Sequence, residues 1–133
     1  NLSNTMPDIN WVFKKFDELT PSELYAIMQL RNEVFVIEQN CVYQDADGKD
    51  SFSFHLMGWS EKKLSAYTRI IPAGITFTEA SIGRVVTSPS VRRTGIGVEL
   101  MEISISKIKE LFGNVPIRIG AQLYLQKFFC KWR

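Results

Sequence analysis

The chain has 133 residues, 45% hydrophobic and 23% charged, a size and balance that suit one globular domain. Its formal net charge of +2 is too small to argue for nucleic acid, and no apolar run approaches membrane-spanning length, so neither partner is expected. Cys41 and Cys130 match no metal spacing and read as free thiols; with no basic-then-apolar leader, a cytoplasmic, metal-free protein is expected.

In chain order, residues 1–9 read as a frayed leader and 11–16 as a first strand. Thr20-Pro21-Ser22-Glu23 starts a helix: Thr20 caps it, Pro21 takes the first turn and Glu23 completes a capping box. Leu24, Ile27, Met28, Leu30, Val34 and Phe35 give that helix its apolar face. Residues 34–41 form a second apolar piece, read as a short helix. Tyr43, Gln44, Asp45, Asp47, Gly48 and Asp50 mark a loop. Its acids do not reach the calcium-loop pattern, because no glutamate stands at the last ligand position. Residues 51–59 read as a strand with Phe52, Phe54 and Leu56 on one face. Ser60-Glu61-Lys62-Lys63 turns it into residues 64–71, an antiparallel hairpin.

The chain is organised around residues 80–101. Ile82, Val85, Val86 and Thr87 are strand formers, and Ser88-Pro89-Ser90 ends the strand. Arg92-Arg93-Thr94-Gly95-Ile96-Gly97 then opens a helix with an apolar stripe of Ile96, Leu100, Ile103, Ile108 and Leu111. The first N–H groups of a helix lack internal partners and attract anions; glycines let a ligand approach the bare backbone. The chemistry implied is a phosphate or pyrophosphate on that N-terminus, helped by two arginines. Gly113-Asn114 stops the helix, residues 115–121 form another strand, and 122–132 read as a last helix. The order predicts one mixed α/β layer with helices on both faces.

Arg92-x-x-Gly95-x-Gly97 after a β-rich segment resembles the coenzyme A loop of the GNAT N-acetyltransferase superfamily. Further motifs look like the ElaA-type branch: Leu30-Arg31-Asn32-Glu33-Val34-Phe35, Asp47-Gly48-Lys49-Asp50, Ala66-Tyr67-Thr68-Arg69-Ile70, Ile82-Gly83-Arg84-Val85-Val86 and Gly120-Ala121-Gln122. The similarity runs over nearly the whole chain from Trp11. It implies a single GNAT domain over residues 1–133, with a mixed, mostly antiparallel sheet flanked by helices. It also implies acetyl-CoA as donor and a small-molecule or peptide amine as acceptor. Val85, Val86 and Thr87 carry over as pantetheine contacts, and Arg92, Arg93, Thr94, Gly95, Ile96 and Gly97 as the pyrophosphate loop. The Val86 N–H is the expected oxyanion donor.

An attacking amine must be neutral, so a base is sought among His55, Glu38 and Glu33; only His55 titrates near neutrality unperturbed. The alternative for His55 is structural hydrogen bonding, and for the glutamates a solvated face or orientation of an arginine. Arg31 and Arg69 could hold an acidic substrate group or pair with Asp47 and Asp50. Gln39, Tyr43, His55 and Gln122 are candidate acceptor-pocket groups. The family's acid, a tyrosine on the last helix, falls at Phe129, which has no proton to give. Two C-terminal strands of the family pattern are absent from the 133 residues, an apparent truncation. An uncovered sheet edge would then favour a homodimer. Two other readings stay open. One is a non-catalytic acyl-CoA-binding domain. The other, more remote, is an acyl-homoserine-lactone synthase using S-adenosylmethionine, faintly echoed by Arg31, Phe35, Asp47, Asp50 and Arg69.

Overall fold

The computed structural model describes residues 8–120. Five strands form one sheet in the order β1 (Asn10–Lys15), β2 (Phe54–Ser60), β3 (Lys63–Ile71), β4 (Ala80–Thr87), β5 (Ile117–Ile119). The pairs from β1 to β4 are antiparallel; β4 and β5 run parallel. Helix α1 (Pro21–Arg31) packs on one face and α2 (Ile96–Phe112) on the other. No described helix is long and apolar enough to cross a membrane.

Alternation along the strands builds the two cores. Leu56, Ala66, Ile70, Ile82 and Val85 meet Ile96, Leu100 and Ile108 of α2. Met57, Leu64, Tyr67 and Val86 meet Ile27 and Leu30 of α1 and Val34 and Phe35 just beyond it. Gly58 sits where Trp11 of the neighbouring strand crosses: a Cβ there would lie 2.6 Å from the indole, so no larger residue fits without moving the ring.

The α1 start forms as expected. Thr20 Oγ1 accepts from Glu23 N–H at 3.1 Å, and Glu23 Oε1 accepts from Thr20 N–H at 2.8 Å. The second apolar piece does not begin a separate helix. It continues α1 as a π-helical stretch, Asn32–Glu38. The β2 strand starts later than expected: Asp50–Phe52 is a 3₁₀ turn, and Phe52 is exposed. The α2 stripe also differs. Its buried line is Ile96, Leu100, Ser104 and Ile108, four apart, while Leu111 points out. Ser104 is tolerated there because its hydroxyl donates to Leu100 O at 2.7 Å and pairs with Thr68 Oγ1 at 2.8 Å. The expected last helix lies outside the described residues. Cys41 corrects the free-thiol reading: it is buried and disulfide-bonded.

Candidate functional site

The sheet opens beside β4. Parallel pairing with β5 covers only Ala80, Ser81 and Ile82, and Gly120 N–H closes it on Ile82 O at 2.8 Å. From Gly83 to Thr87 the β5 side of β4 has no strand partner among the described residues. A register shift falls here: Arg69 pairs with Gly83 but Tyr67 with Val86, so β4 carries one extra residue. Arg84 takes the bulge conformation, with φ 50°.

That bulge decides which amides face the gap. Ser88 N–H donates to Ser65 O at 2.8 Å, so Ser88 and, by alternation, Val86 turn their backbone groups toward β3. Val85 and Thr87 turn theirs to the open edge. The Thr87 carbonyl confirms this by accepting from Arg92 Nη2 at 3.2 Å. The expected Val86 oxyanion donor therefore points the wrong way; Val85 N–H is the edge amide nearest the bulge.

Below the gap, a 3₁₀ turn (Pro89–Val91) leads into the glycine loop. Arg93 and Gly95 both have positive φ, 66° and 89°, and Gly95 caps α2. The first i→i−4 bond runs from Glu99 N–H to Gly95 O at 3.1 Å, so the amides of Ile96, Gly97 and Val98 precede the helical ladder. Ile96 is fully buried and anchors the turn, whereas Gly97 is exposed with open space above its Cα. Thr94 ties the loop by donating its hydroxyl to Val91 O.

The two loop arginines differ. Arg92 makes a two-pronged pair with Glu38, Nη1–Oε2 2.6 Å and Nη2–Oε1 2.7 Å. Arg93 is exposed and makes no ion pair among the described residues. The hydrogen bonds from Arg92 hold the Glu38 carboxyl below its ordinary range, against a smaller upward push from burial. Glu38 is thus a poor proton acceptor in this arrangement.

The remaining predicted residues gather elsewhere, in a buried charge lattice on the α1 face. Arg31 is fully buried; its Nε meets Asp45 Oδ2 and its Nη1 meets Asp50 Oδ1, each at 2.6 Å. Arg69 bridges Asp47 and Asp50 at 2.8 and 3.0 Å. Arg84 meets Asp45 and Asp47 at 2.8 and 3.2 Å. Burial pushes the Asp50 carboxyl upward, but the hydrogen bonds and charges of Arg31 and Arg69 outweigh it and hold it below the usual range. Arg31 is therefore internally compensated and does not present itself to a substrate.

His55 belongs to the same lattice. Its Nε2 lies 2.9 Å from Asp50 O, which can only accept, so Nε2 carries the proton. Nδ1 then accepts from the Tyr67 hydroxyl at 2.6 Å. The ring is fully buried, and burial lowers its pKa. Both nitrogens are occupied, which is the geometry of a structural histidine and not of a base open to an amine. Tyr43 reaches Asp45 Oδ1 at 3.2 Å, at the lattice rim. Gln39 is half-buried, with its Nε2 buried and lacking a hydrogen-bond partner among the described residues. Gln122 and Phe129 lie outside the described residues.

A cavity of about 450 Å³ opens where the lattice meets β4 and β5, lined in part by Lys49, Phe77, Gly83, Arg84 and Arg118. Lys49 and Arg118 come from segments far apart in sequence, and no spacing in the chain signals their meeting.

No family model matches the chain. Protein ElaA of Escherichia coli is 39% identical over 123 residues, covering 91% of this chain and 80% of that protein. A UPF0039 protein of Schizosaccharomyces pombe is 39% identical over 126 residues, 93% of this chain and 83% of the relative. Among solved structures, an acyl-CoA N-acyltransferase from Pseudomonas aeruginosa superposes with a TM-score of 0.84 at 38% identity, covering 94% of this chain and 87% of that one. Escherichia coli ElaA superposes at 0.83 with 38% identity, covering 94% and 86%. The opened β4 edge, the glycine-started α2 and these matches agree: the chain belongs to the ElaA-like family and has the GNAT acyl-CoA N-acyltransferase fold.

Proposed function

We propose that the protein is an N-acetyltransferase that moves an acetyl group from acetyl-CoA to a primary amine. The observation that carries this reading is the pairing of an open β4 edge with exposed amides at the α2 N-terminus, one turn of chain away. The residues suit the coenzyme. The amides at Gly97 and Val98, with Arg93 beside them, match a diphosphate in charge and donor direction. The edge groups of Val85 and Thr87 match the amide-bearing pantetheine arm, which would lie along β4 as a substitute strand. Two more distant structures share the fold: a predicted acetyltransferase from Clostridium acetobutylicum, solved with acetyl-CoA, and an aminoglycoside acetyltransferase, solved with sisomicin. At 14% identity each, they speak for the fold alone.

In the reaction, the amine lone pair forms a C–N bond at the thioester carbonyl carbon. The Val85 N–H stabilises the oxyanion, the C–S bond breaks, and the amine's surplus proton ends on the departing thiolate. His55 is sealed and Glu38 is engaged, and in this reading water carries the proton away from the amine. A thiolate leaves without strong acid help, since simple thiols have pKa values near 8.5. The test is titration with coenzyme A followed by thiol release from acetyl-CoA with a panel of amines. Perturbed amides in residues 91–98 together with thiol release are expected. Binding without release would favour the non-catalytic acyl-CoA-binding reading; absence of both would end the assignment.

A further inference from the structure

The cavity on the α1 face has a chemistry that the coenzyme site does not use. Arg69 and Ile71 share the sheet face of Tyr67, so the cavity lies on the α1 side, with Gly83 in its wall two residues before Val85. Its cations fall into two groups. Arg69 and Arg84 are spent on Asp45, Asp47 and Asp50. Asp47, the carboxylate in the wall, is saturated in turn: its oxygens accept from both arginines and from Lys49 N–H. Lys49 and Arg118 are not spent. The Lys49 ammonium makes no ion pair among the described residues. Arg118 touches Glu79 only through Nε, at 3.5 Å, and its two terminal nitrogens make no hydrogen bond among the described residues. Its guanidinium lies 4.4 Å from the Phe77 ring centroid, which restrains the fork.

We propose that this cavity seats the acceptor and selects amines that also carry a carboxylate, held by the Arg118 fork and the Lys49 ammonium. A planar fork with two free N–H edges matches a carboxylate bidentately, which a neutral group cannot reproduce. Phe77 and Ile71 supply an apolar wall for the carbon skeleton between the two ends. The amine then points toward Gly83 and the adjoining open edge at Val85. The open space above Gly83 is part of this arrangement, since a Cβ there would project toward the cavity with no protein atom within 4 Å among the described residues. The inference rests on the acetyl-transfer reading for the identity of the amine, but the carboxylate preference is measurable without coenzyme.

The test is an NMR titration of the whole chain with N-acetylglycine, a product-like probe, and separately with N-acetylglycinamide and inorganic phosphate. N-acetylglycine is expected to shift the amides of Gly83, Arg118 and Gly120, and the amide analogue to bind about tenfold more weakly. Arg118→Glu and Gly83→Val should each abolish those shifts while coenzyme A binding stays unchanged. Lys49→Glu should weaken the acid and leave the amide analogue alone. Equal binding of acid and amide, equal shifts with phosphate, no shift with N-acetylglycine, or no effect of the variants would each overturn the proposal. Coenzyme A, titrated alone, reports on residues 91–98. A failure there would remove the coenzyme reading, while the carboxylate preference is scored by its own titration.

Discussion

Two regions of this molecule are rich in arginine, and they use it in opposite ways. In the α1-face lattice, Arg31, Arg69 and Arg84 are matched by Asp45, Asp47 and Asp50, with Arg31, Arg69 and Asp45 buried and Asp47 at the solvent rim. In the glycine loop, Arg93 is exposed and has no ion pair among the described residues, beside amides with no helical partner. A compensated guanidinium fixes the position of its neighbours; an uncompensated one next to bare backbone is available to an incoming anion. The lattice aims the 42–50 loop and β4, and the loop it supports borders the place where chemistry is proposed. Arg92 stands between the two kinds, clasped by Glu38 yet within the glycine loop.

The comparison breaks most visibly in the lattice. Arg31→Met removes a fully buried cation, leaving Asp45 to Arg84 and Tyr43 and Asp50 to Arg69, so unfolding by urea should show a loss approaching about 3–5 kcal/mol. An unchanged midpoint would mean the lattice is not the strut described. In the loop the expected effect falls on binding and not on folding. Gly97→Trp, placed where a Cβ meets open space, should cut coenzyme A affinity by about 100-fold with the melting temperature preserved. Arg93→Ala should lose about tenfold in the same titration, more than Arg92→Ala, because Arg92 must first give up Glu38.

Acid sharpens the contrast further. Burial lowers the His55 pKa, so the unfolded chain takes up a proton near 6.5 that the folded chain refuses until lower pH. The stability associated with neutral His55 is present above that value and is lost as pH falls through it, at up to ~1.4 kcal/mol per pH unit. Asp50, with its folded pKa depressed, adds its own loss only below its ordinary 3.8. Urea midpoints measured from pH 8 to 5 should therefore decline below about 6.5 in the parent and stay flat in His55→Asn. The smallest effect belongs to Glu38→Gln. It should free Arg92 and tighten coenzyme A by about two- to threefold without lowering kcat. A large fall in kcat would restore Glu38 as the base.

Local signals in the sequence carried over well. The Thr20–Glu23 capping box, the Gly95 start of α2 and its stop at Gly113 each depend on residues within one turn, and each formed. The α2 stripe is legible at Ile96, Leu100 and Ile108 but not at Leu111, which is exposed, nor at Ser104, whose burial depends on Thr68 from a strand far away in sequence. The catalytic assignments fared worse for the same reason. Nothing near His55 in sequence announces Tyr67 across the sheet, and nothing near Glu38 announces Arg92. Whether an arginine is spent or free is a property of its partners. In the sequence, nothing marks Lys49 and Arg118 as uncompensated or Arg31 as paired.

The single extra residue at Arg84 has a consequence of its own. It acts as a parity switch on the strand. Ahead of it, the even-numbered Ile82 faces β5; beyond it, the odd-numbered Val85 and Thr87 do. Deleting that residue would remove the Arg84 guanidinium from the lattice and, separately, turn the backbone groups of Val85 and Thr87 toward β3. The proposed donor amide would then be lost through strand parity alone, with the side chains of Val85, Thr87 and the glycine loop unchanged.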